Sequence, residues 1–364
     1  MKRVLFITNY AAPYKVQFFD ELGKHMALTV LFSGAEEEKA RAAEWFVNSA
    51  GGFKAVFLSK KFGSLGGENL CLDVVDWLRR DYDKIVIGGY SSPTAMLAMA
   101  YLRMKRIPFY IEVDGGLIRE DSRAKYLFKK MLVSSASGWI SSGKYPSKYL
   151  MHYGAKEDLI YEYPFSSLWR EDIIEGVPSV EEKQQLRQKL EVPERYMVLA
   201  VGQFIPRKGF DVLLHAAKFL GDDTGIYIVG GEATDEYLNL RDELELTHVH
   251  FVGFQKKEQL AEFYKAADIF VLPSREDIWG LVINEAMAYG LPVITTDKCV
   301  AGLELVQDGV NGYLVPVNDD NALADRIKAV FADDYRRMGA AALESVRPYT
   351  IENMVKAHLE ILND

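Results

Sequence analysis

Short apolar, β-branched segments recur along this 364-residue chain, at intervals long enough for a helix between each pair. Six lie in the first half, at 3–8, 28–32, 55–58, 84–88, 108–113 and 138–141. Six lie in the second half, at 197–201, 225–229, 250–252, 269–272, 292–295 and 313–315. Strands that are apolar throughout and alternate with helices are typical of parallel sheets covered on both faces. The pattern predicts an α/β protein with two doubly wound, Rossmann-like domains that bind ligands beyond the carboxyl ends of their strands.

The two series are separated by a segment around 162–184 that contains two prolines and has no strand period. We therefore predict domains at 1–170 and 171–349, which would face each other across a cleft. Helices are predicted at 181–190, 322–332 and 335–345. A final helix at 350–364, capped by Thr350, should pack back on the first domain, because its apolar side chains need a surface that buries them.

Composition narrows the class of protein. Hydrophobic residues make up 49% and charged residues 26%, which is typical of a globular chain. The only two cysteines, Cys71 and Cys299, support neither a disulfide framework nor a cysteine-ligated zinc site. The first apolar run is too short for a secretory signal, and no run reaches 18 apolar residues. These features predict a cytoplasmic protein without a metal centre.

Charge is distributed unevenly. Residues 1–150 carry 22 Lys and Arg against 15 Asp and Glu, whereas the whole chain has a net charge of −9, which argues against general nucleic-acid binding. A basic segment at 123–133 has four cations and an apolar set predicted to share the opposite helix face. The cations are Arg123, Lys125, Lys129 and Lys130, and the apolar set is Tyr126, Leu127, Met131 and Leu132. Two interpretations stay open. The segment either binds an anionic partner, which would be a membrane surface or a phosphate-bearing acceptor, or it is an ordinary helix with a solvated face.

The loop after the strand at 197–201 combines glycines with cations. Gly202 and Gly209 allow close backbone approach, and Arg207 and Lys208 lie just before a predicted helix. A helix start offers N–H groups and partial positive charge, so the loop favours a diphosphate, although adjacent surface cations are often only solvated.

The loop after the strand at 269–272 combines carboxylates with a glycine. Glu276, Asp277 and Gly280 lie in the loop, and Glu285, eight residues after Asp277, lies inside the next predicted helix. Carboxylates accept hydrogen bonds from vicinal sugar hydroxyls, and the helix start could face an anion. Glu285 is either a ligand of this kind or a solvated helix residue.

Together these two loops resemble the signature of glycosyltransferase family 4, the retaining nucleotide-sugar transferases with the GT-B fold. That family has a G-R-x-x-x-x-K-G loop, then a carboxylate, seven residues and a second Glu, in a context like E-P-W-G-L-V-V-N-E-A-M. The corresponding segments here are GQFIPRKG at 202–209 and EDIWGLVINEAM at 276–287. The resemblance covers most of 197–317 and extends to the start of the chain, TNYAAPYK.

The resemblance implies a role for each matching position. Lys208 would bind the donor diphosphate, Glu285 the ribose hydroxyls and Asp277 the hydroxyls of the transferred sugar. Asp114 falls where many members place a histidine on the acceptor side, and Pro13 belongs to a loop that would cover the diphosphate. Further donor-binding positions are Gly202, Gly209, Gly230, Gly231, Phe254, Ile278, Trp279 and Gly280.

Three positions depart from the family pattern. Gln203 replaces an arginine, whose charge the neighbouring Arg207 could supply. Asp277 is one methylene shorter than the usual Glu, so Glu276 could reach the sugar instead. Asp114 replaces the histidine, and it either orients an acceptor hydroxyl or caps the following glycine turn. The predicted catalytic residues are Lys208, Arg207, Asp277 and Asp114.

The resemblance implies a retaining hexosyltransferase that uses a nucleoside diphosphate sugar, a UDP-sugar in preference to a GDP-sugar. The acceptor would be a glycan or a lipid-diphosphate-linked sugar, met at the inner face of the membrane in polysaccharide or glycolipid synthesis. Two cations and two helix starts predict metal-independent catalysis, and Asp81-Tyr82-Asp83 is predicted to be a turn. The alternatives are an epimerase or glycan phosphorylase on the same fold, or a non-catalytic module that binds nucleotide sugars.

Overall fold

The computed structural model describes residues 1–34, 51–65 and 68–363. It divides into two compact units, Met1–Ser166 with Tyr349–Asp364 and Ser167–Pro348. The predicted boundary at 170 lies slightly further along the chain. Among the described residues, no helix is both long enough and apolar enough to cross a membrane.

The first unit is built on a parallel sheet. Its strands are β1 (Arg3–Thr8), β2 (Ala27–Phe32), β3 (Lys54–Phe57), β4 (Lys61–Leu65), β5 (Glu68–Cys71), β6 (Lys84–Gly88), β7 (Tyr110–Val113), β8 (Gly138–Ser141) and β9 (Ile160–Glu162). Seven of them form a sheet in the order β3-β2-β1-β6-β7-β8-β9, and every pairing is parallel. The other two, β4 and β5, pair antiparallel in a separate small sheet. The helices before the domain crossover are α1 (Pro13–Gly23), α2 (Val74–Leu78), α3 (Pro93–Lys105), α4 (Arg123–Val133) and α5 (Lys144–His152).

The second unit repeats this plan. Its strands are β10 (Tyr196–Val201), β11 (Thr224–Val229), β12 (Val249–Val252), β13 (Ile269–Leu272), β14 (Val293–Thr296) and β15 (Gly312–Val315). They form one parallel sheet in the order β12-β11-β10-β13-β14-β15. Its helices are α6 (Val180–Lys189), α7 (Phe210–Ala217), α8 (Asp235–Glu243), α9 (Lys257–Ala266), α10 (Leu281–Ala288), α11 (Val300–Leu305), α12 (Asp320–Ala332) and α13 (Tyr335–Val346).

The last helix, α14 (Ile351–Asn363), returns to the first unit. The backbone N–H of Asn353 donates to Thr350 Oγ1 over 3.3 Å, which is the predicted cap. Met354, Val355 and Ile361 are buried, so the apolar face of α14 is covered. The predicted helix extends to Asp364, which lies outside the described residues.

The strand order fixes where loops meet. In each sheet the order reverses beside the first strand, because β1 lies between β2 and β6, and β10 lies between β11 and β13. In open parallel sheets, ligands bind beyond the carboxyl ends of the strands at this point of reversal. The loops after β10 and β13 therefore lie side by side, and these are the two loops that carry the family resemblance.

Candidate functional site

The loop after β10 places two cations beside one carboxylate, that of Asp277, and one backbone carbonyl, that of Glu276, in the loop after β13. Lys208 Nζ donates to Asp277 Oδ2 over 2.7 Å, and Arg207 Nη1 lies 3.3 Å from Asp277 Oδ1. Arg207 Nη1 also donates to the carbonyl oxygen of Glu276 over 3.0 Å. The Lys208 and Asp277 side chains are each 12% exposed, whereas that of Arg207 is 48% exposed. This ion pair was not among the sequence predictions, which gave Lys208 and Asp277 separate ligand groups.

The close approach of these loops requires glycine at two positions. Gly209 has a φ of +68°, and a Cβ there would lie 2.1 Å from the carbonyl oxygen of Pro273. Gly280 has a φ of +101°, and a Cβ there would lie 2.8 Å from Cys299 Sγ. Both glycines stand immediately before helices, α7 and α10. Since the first turn of a helix has N–H groups without intrahelical acceptors, two sets of donors lie at this edge of the sheet.

Arg275 holds the first loop in place. Its guanidinium donates to both carboxylate oxygens of Asp211 in α7 and to the carbonyl oxygen of Pro206. The backbone N–H of Arg275 donates to the carbonyl oxygen of Arg207 over 2.8 Å. A bidentate arginine–carboxylate pair is geometrically demanding, so this residue fixes the turn that carries Lys208. Sequence reasoning missed Arg275, although it lies in the same loop as Asp277.

Glu285 lies within α10 and is partly buried. The hydroxyl of Tyr264, in α9, donates to Glu285 Oε2 over 3.0 Å. Burial raises the pKa of Glu285 above its ordinary value, against the opposing effect of the hydrogen bond from Tyr264. The carboxylate therefore has a buried partner and belongs to no solvated helix face.

The other predicted donor residues lie at the same edge of the second sheet. Gly202 follows β10, Gly230 and Gly231 follow β11, and Phe254, which is 78% exposed, follows β12. Ile278 is exposed. The indole of Trp279 is buried and donates to Asn284 Oδ1 over 2.8 Å, so this side chain packs the loop against α10.

Asp114 lies beyond β7 in the first unit, within a second polar cluster. Lys15 Nζ lies 3.2 Å from Asp114 Oδ2 and donates to Thr8 Oγ1 over 3.2 Å. The hydroxyl of Tyr163 donates to Asp114 Oδ1 over 3.2 Å. Lys15 is two residues beyond Pro13, which is exposed at the start of α1. The predicted Pro13 loop and Asp114 are thus brought close together.

A small cavity of about 20 Å³, room for one water molecule, opens among these side chains. Tyr14 lines it, and burial raises its pKa well above the ordinary value, with Asp114 and Glu112 adding to the effect. The pKa of Tyr163 is raised for the same reasons, so both phenols stay protonated and can donate hydrogen bonds. The cluster therefore presents hydroxyl and carboxylate groups, both of which can form hydrogen bonds with a hydroxyl group.

Behind this cluster, Glu112 receives a partner from the last helix. His358 is fully buried, with Nε2 3.0 Å from Glu112 Oε1 and Nδ1 2.8 Å from the carbonyl oxygen of Met354. Because a carbonyl only accepts hydrogen bonds, Nδ1 carries a proton. No motif in the sequence predicts the contact between Glu112 and His358, which are 246 positions apart.

Among the described residues, no three His, Cys, Asp or Glu side chains are grouped so that they could hold a metal ion. Asp83 belongs to the segment Asp81-Tyr82-Asp83, which was predicted to be a turn and lies just before β6. Its Oδ2 accepts a hydrogen bond from the backbone N–H of Arg3 over 2.6 Å.

Solved structures share this architecture. The Anabaena protein Alr3699/HepE, in a structure described as a complex with UDP and glucose, has a TM-score of 0.74 and 20% identity over 100% of both chains. At this identity the likeness concerns the fold, and it confirms the predicted GT-B class with two Rossmann-like parallel sheets.

The sequence comparison identifies the second unit. Residues 182–345 match the family described as glycosyl transferases group 1, which confirms the resemblance found in the loops. D-inositol 3-phosphate glycosyltransferase of Mycolicibacterium gilvum is 36% identical over 46% of this chain and 39% of its own length. The corresponding protein of Xylanimonas cellulosilytica is 29% identical over 66% of this chain and 60% of its own length. The chain thus matches less than two thirds of the length of these relatives.

Proposed function

We propose that this chain transfers a hexose from a nucleoside diphosphate sugar to a hydroxyl group of a glycan or lipid-linked acceptor. The observation that supports this most directly is the position of Arg207 and Lys208 between two glycine-led helix starts, where the second sheet reverses its strand order. Cations and backbone N–H groups that converge from two loops are suited to a diphosphate.

In this proposal Lys208 keeps its bond to Asp277 and uses its other ammonium hydrogens for the diphosphate. Arg207, being more exposed, supplies the second charge that Gln203 lacks. Glu285 accepts the ribose hydroxyls, and Asp277 or Glu276 accepts those of the sugar. A UDP-sugar is the preferred donor, since the Anabaena protein of the same fold is described with UDP.

The proposed reaction retains the anomeric configuration and needs no metal ion. The bond between the anomeric carbon and the diphosphate oxygen breaks while the acceptor oxygen bonds to the same face of the sugar. The acceptor proton passes to the leaving phosphate oxygen. Arg207, Lys208 and the helix starts stabilise the charge that develops on the diphosphate.

The first unit supplies the acceptor site in this proposal. Asp114, with Lys15 and Tyr163 around it, orients the acceptor hydroxyl or stabilises positive charge at the anomeric carbon. A lipid-diphosphate acceptor would bring the first unit to the inner face of the cytoplasmic membrane.

The test is a thermal-shift screen with UDP, GDP and ADP and their common sugar conjugates, followed by an assay of nucleotide release. A ligand that binds only the native state raises the melting temperature as its site fills. We expect a uridine nucleotide to give the largest shift, and its sugar conjugate to release UDP with or without EDTA. Isomerised sugar in place of released UDP would favour the epimerase, and binding without any turnover would favour the non-catalytic module.

A further inference from the structure

The helix α4 exposes large apolar side chains on its outward face. Leu127 is 53% exposed, Phe128 46% and Met131 49%, whereas Leu132 and Val133 are buried in the core of the first unit. At 100° per residue, the three exposed side chains fall within one arc of the helix. The predicted apolar face, which included Leu132, was therefore wrong in part: Leu132 faces the core, and Phe128 takes its place outside.

Cations stand on both sides of this arc. Arg123 and Lys130 lie along one edge of it and Lys125, which forms an ion pair with Asp121 over 3.0 Å, along the other; all three are exposed. Lys130 Nζ lies over the ring of Tyr126, 5.8 Å from its centre. An apolar centre with cationic edges is the pattern of helices that lie in the plane of a membrane surface.

The helix is held in place from its inner side. Ser122 Oγ accepts from the backbone N–H of Lys125, which caps the helix start. Lys129, which is turned inwards, lies 2.8 Å from Asp121 Oδ2 and donates to the hydroxyl of Tyr153 over 3.2 Å. The outward face is therefore presented on a preformed helix, so no folding entropy is lost on contact.

The segment just before α4 extends the same pattern. Ile118 is 52% exposed and lines a groove with Arg119, Arg123 and His152. Between residues 118 and 131 there are five Lys and Arg against two Asp and Glu. This part of the surface is thus cationic, although the whole chain has a net charge of −9.

We propose that the outward face of α4 binds the surface of an anionic lipid bilayer. Leu127, Phe128 and Met131 enter the boundary between headgroups and acyl chains, and the flanking cations meet lipid phosphates. A second copy of this chain fits the face less well, because pairing two such faces would bring their cationic edges together. The inference deepens the proposed function by giving the first unit a route to a lipid-linked acceptor.

The experiment is sedimentation of the full chain with phosphatidylcholine vesicles, pure or containing one quarter phosphatidylglycerol, and without nucleotide sugar. We expect binding to the anionic vesicles that weakens with salt. The combined change Leu127→Gln, Phe128→Gln and Met131→Gln should reduce it at least tenfold. Arg123→Gln with Lys130→Gln should reduce it by about fivefold per cation. The matched control is Phe219→Gln, since Phe219 is a 45% exposed apolar residue of the second unit.

Three results would overturn the proposal: no wild-type binding to anionic vesicles, equal binding to both vesicle types, or unchanged binding by the triple variant. A triple variant that changes only the sedimentation coefficient in vesicle-free solution would assign the face to protein association instead. Thermal unfolding shows whether each variant is folded, and if the triple variant is not, the arginine–lysine pair decides. Because no donor is present, failure here leaves the donor screen unaffected, and failure of that screen leaves this result standing.

Discussion

Each unit places a lysine–aspartate ion pair beyond the carboxyl ends of its parallel strands, yet the surroundings differ. In the second unit Lys208 and Asp277 are joined by Arg207, and the loops that carry them end in glycine-led helix starts. In the first unit Lys15 also donates to the hydroxyl of Thr8, and Asp114 accepts from the hydroxyl of Tyr163. These side chains line a small cavity together with Glu112.

The comparison shows that the groups around a lysine–aspartate ion pair, more than the pair itself, determine which kind of ligand can bind there. One carboxylate shared by two cations leaves positive charge and N–H donors for an anion. One cation paired with one carboxylate and flanked by hydroxyls leaves acceptors and donors for an uncharged alcohol. This difference is why the proposed function places the diphosphate in the second unit and the acceptor hydroxyl in the first.

The largest expected effect is that of Lys208→Ala. It removes a charge that would stabilise the leaving diphosphate, so nucleotide release from the preferred donor should fall by about 10² to 10³-fold. Arg207 still lies 3.3 Å from Asp277, which keeps the carboxylate paired and the unit folded. Steady-state release assays measure the change, and melting curves show whether the fold is kept.

Lys218→Ala is the control for that variant, because Lys218 is an exposed lysine in the same unit, just beyond α7. It should behave like the wild type. Near-normal turnover by Lys208→Ala would remove the distinction drawn between the two ion pairs.

A smaller effect is expected for Asp114→Asn. The amide keeps the shape of the carboxylate but loses its charge, so transfer to an acceptor should slow about 10²-fold while donor affinity stays the same. Parallel titrations of donor and acceptor separate the two quantities. Glu120→Gln, an exposed change in the loop after β7, is the control. Equal losses of donor affinity and transfer rate would show that Asp114 is no acceptor residue.

The smallest effect concerns the carboxylates of Glu285 and Glu112. Burial raises the pKa of Glu285, so the folded state favours its neutral form and loses stability as the pH rises through that pKa. Glu285→Gln cannot ionise, so we expect it to melt a few degrees above the wild type at pH 7, with the gap closing as the pH falls towards 4. Its affinity for the donor should fall, since the ribose acceptor is lost.

Glu112→Gln should instead melt below the wild type at pH 7. His358 Nε2 lies 3.0 Å from Glu112 Oε1 and would lose its carboxylate partner. Differential scanning calorimetry across this pH range measures both variants. A melting temperature of Glu112→Gln above that of the wild type at pH 7 would show that His358 does not stabilise the Glu112 carboxylate in the way described.

Most of the fold could be predicted because buried parallel strands are apolar throughout. All twelve predicted strands are present, and no strand end is shifted by more than two residues. The antiparallel pair β4 and β5 was missed because the segment is rich in glycine and has no apolar alternation. The edge strand β9 was missed because it is only three residues long.

The site could be predicted as far as short-range patterns reach. Lys208 and Asp277 follow neighbouring strands, so their proximity follows from the strand order that a Rossmann-like sheet imposes. The partnership of Lys15 with Asp114, and of Glu112 with His358, depends on how helices pack across the sheet. Packing of that kind joins residues that are 99 positions apart in the first pair and 246 in the second, and it leaves no local pattern in the sequence.

The return of α14 to the first unit has a consequence for synthesis. The second unit is one continuous stretch, Ser167–Pro348, and can fold as soon as it has left the ribosome. The first unit is made earlier but waits for α14, whose apolar face covers α1 and whose histidine meets Glu112. The unit that is synthesised earlier is therefore completed after the unit that is synthesised later.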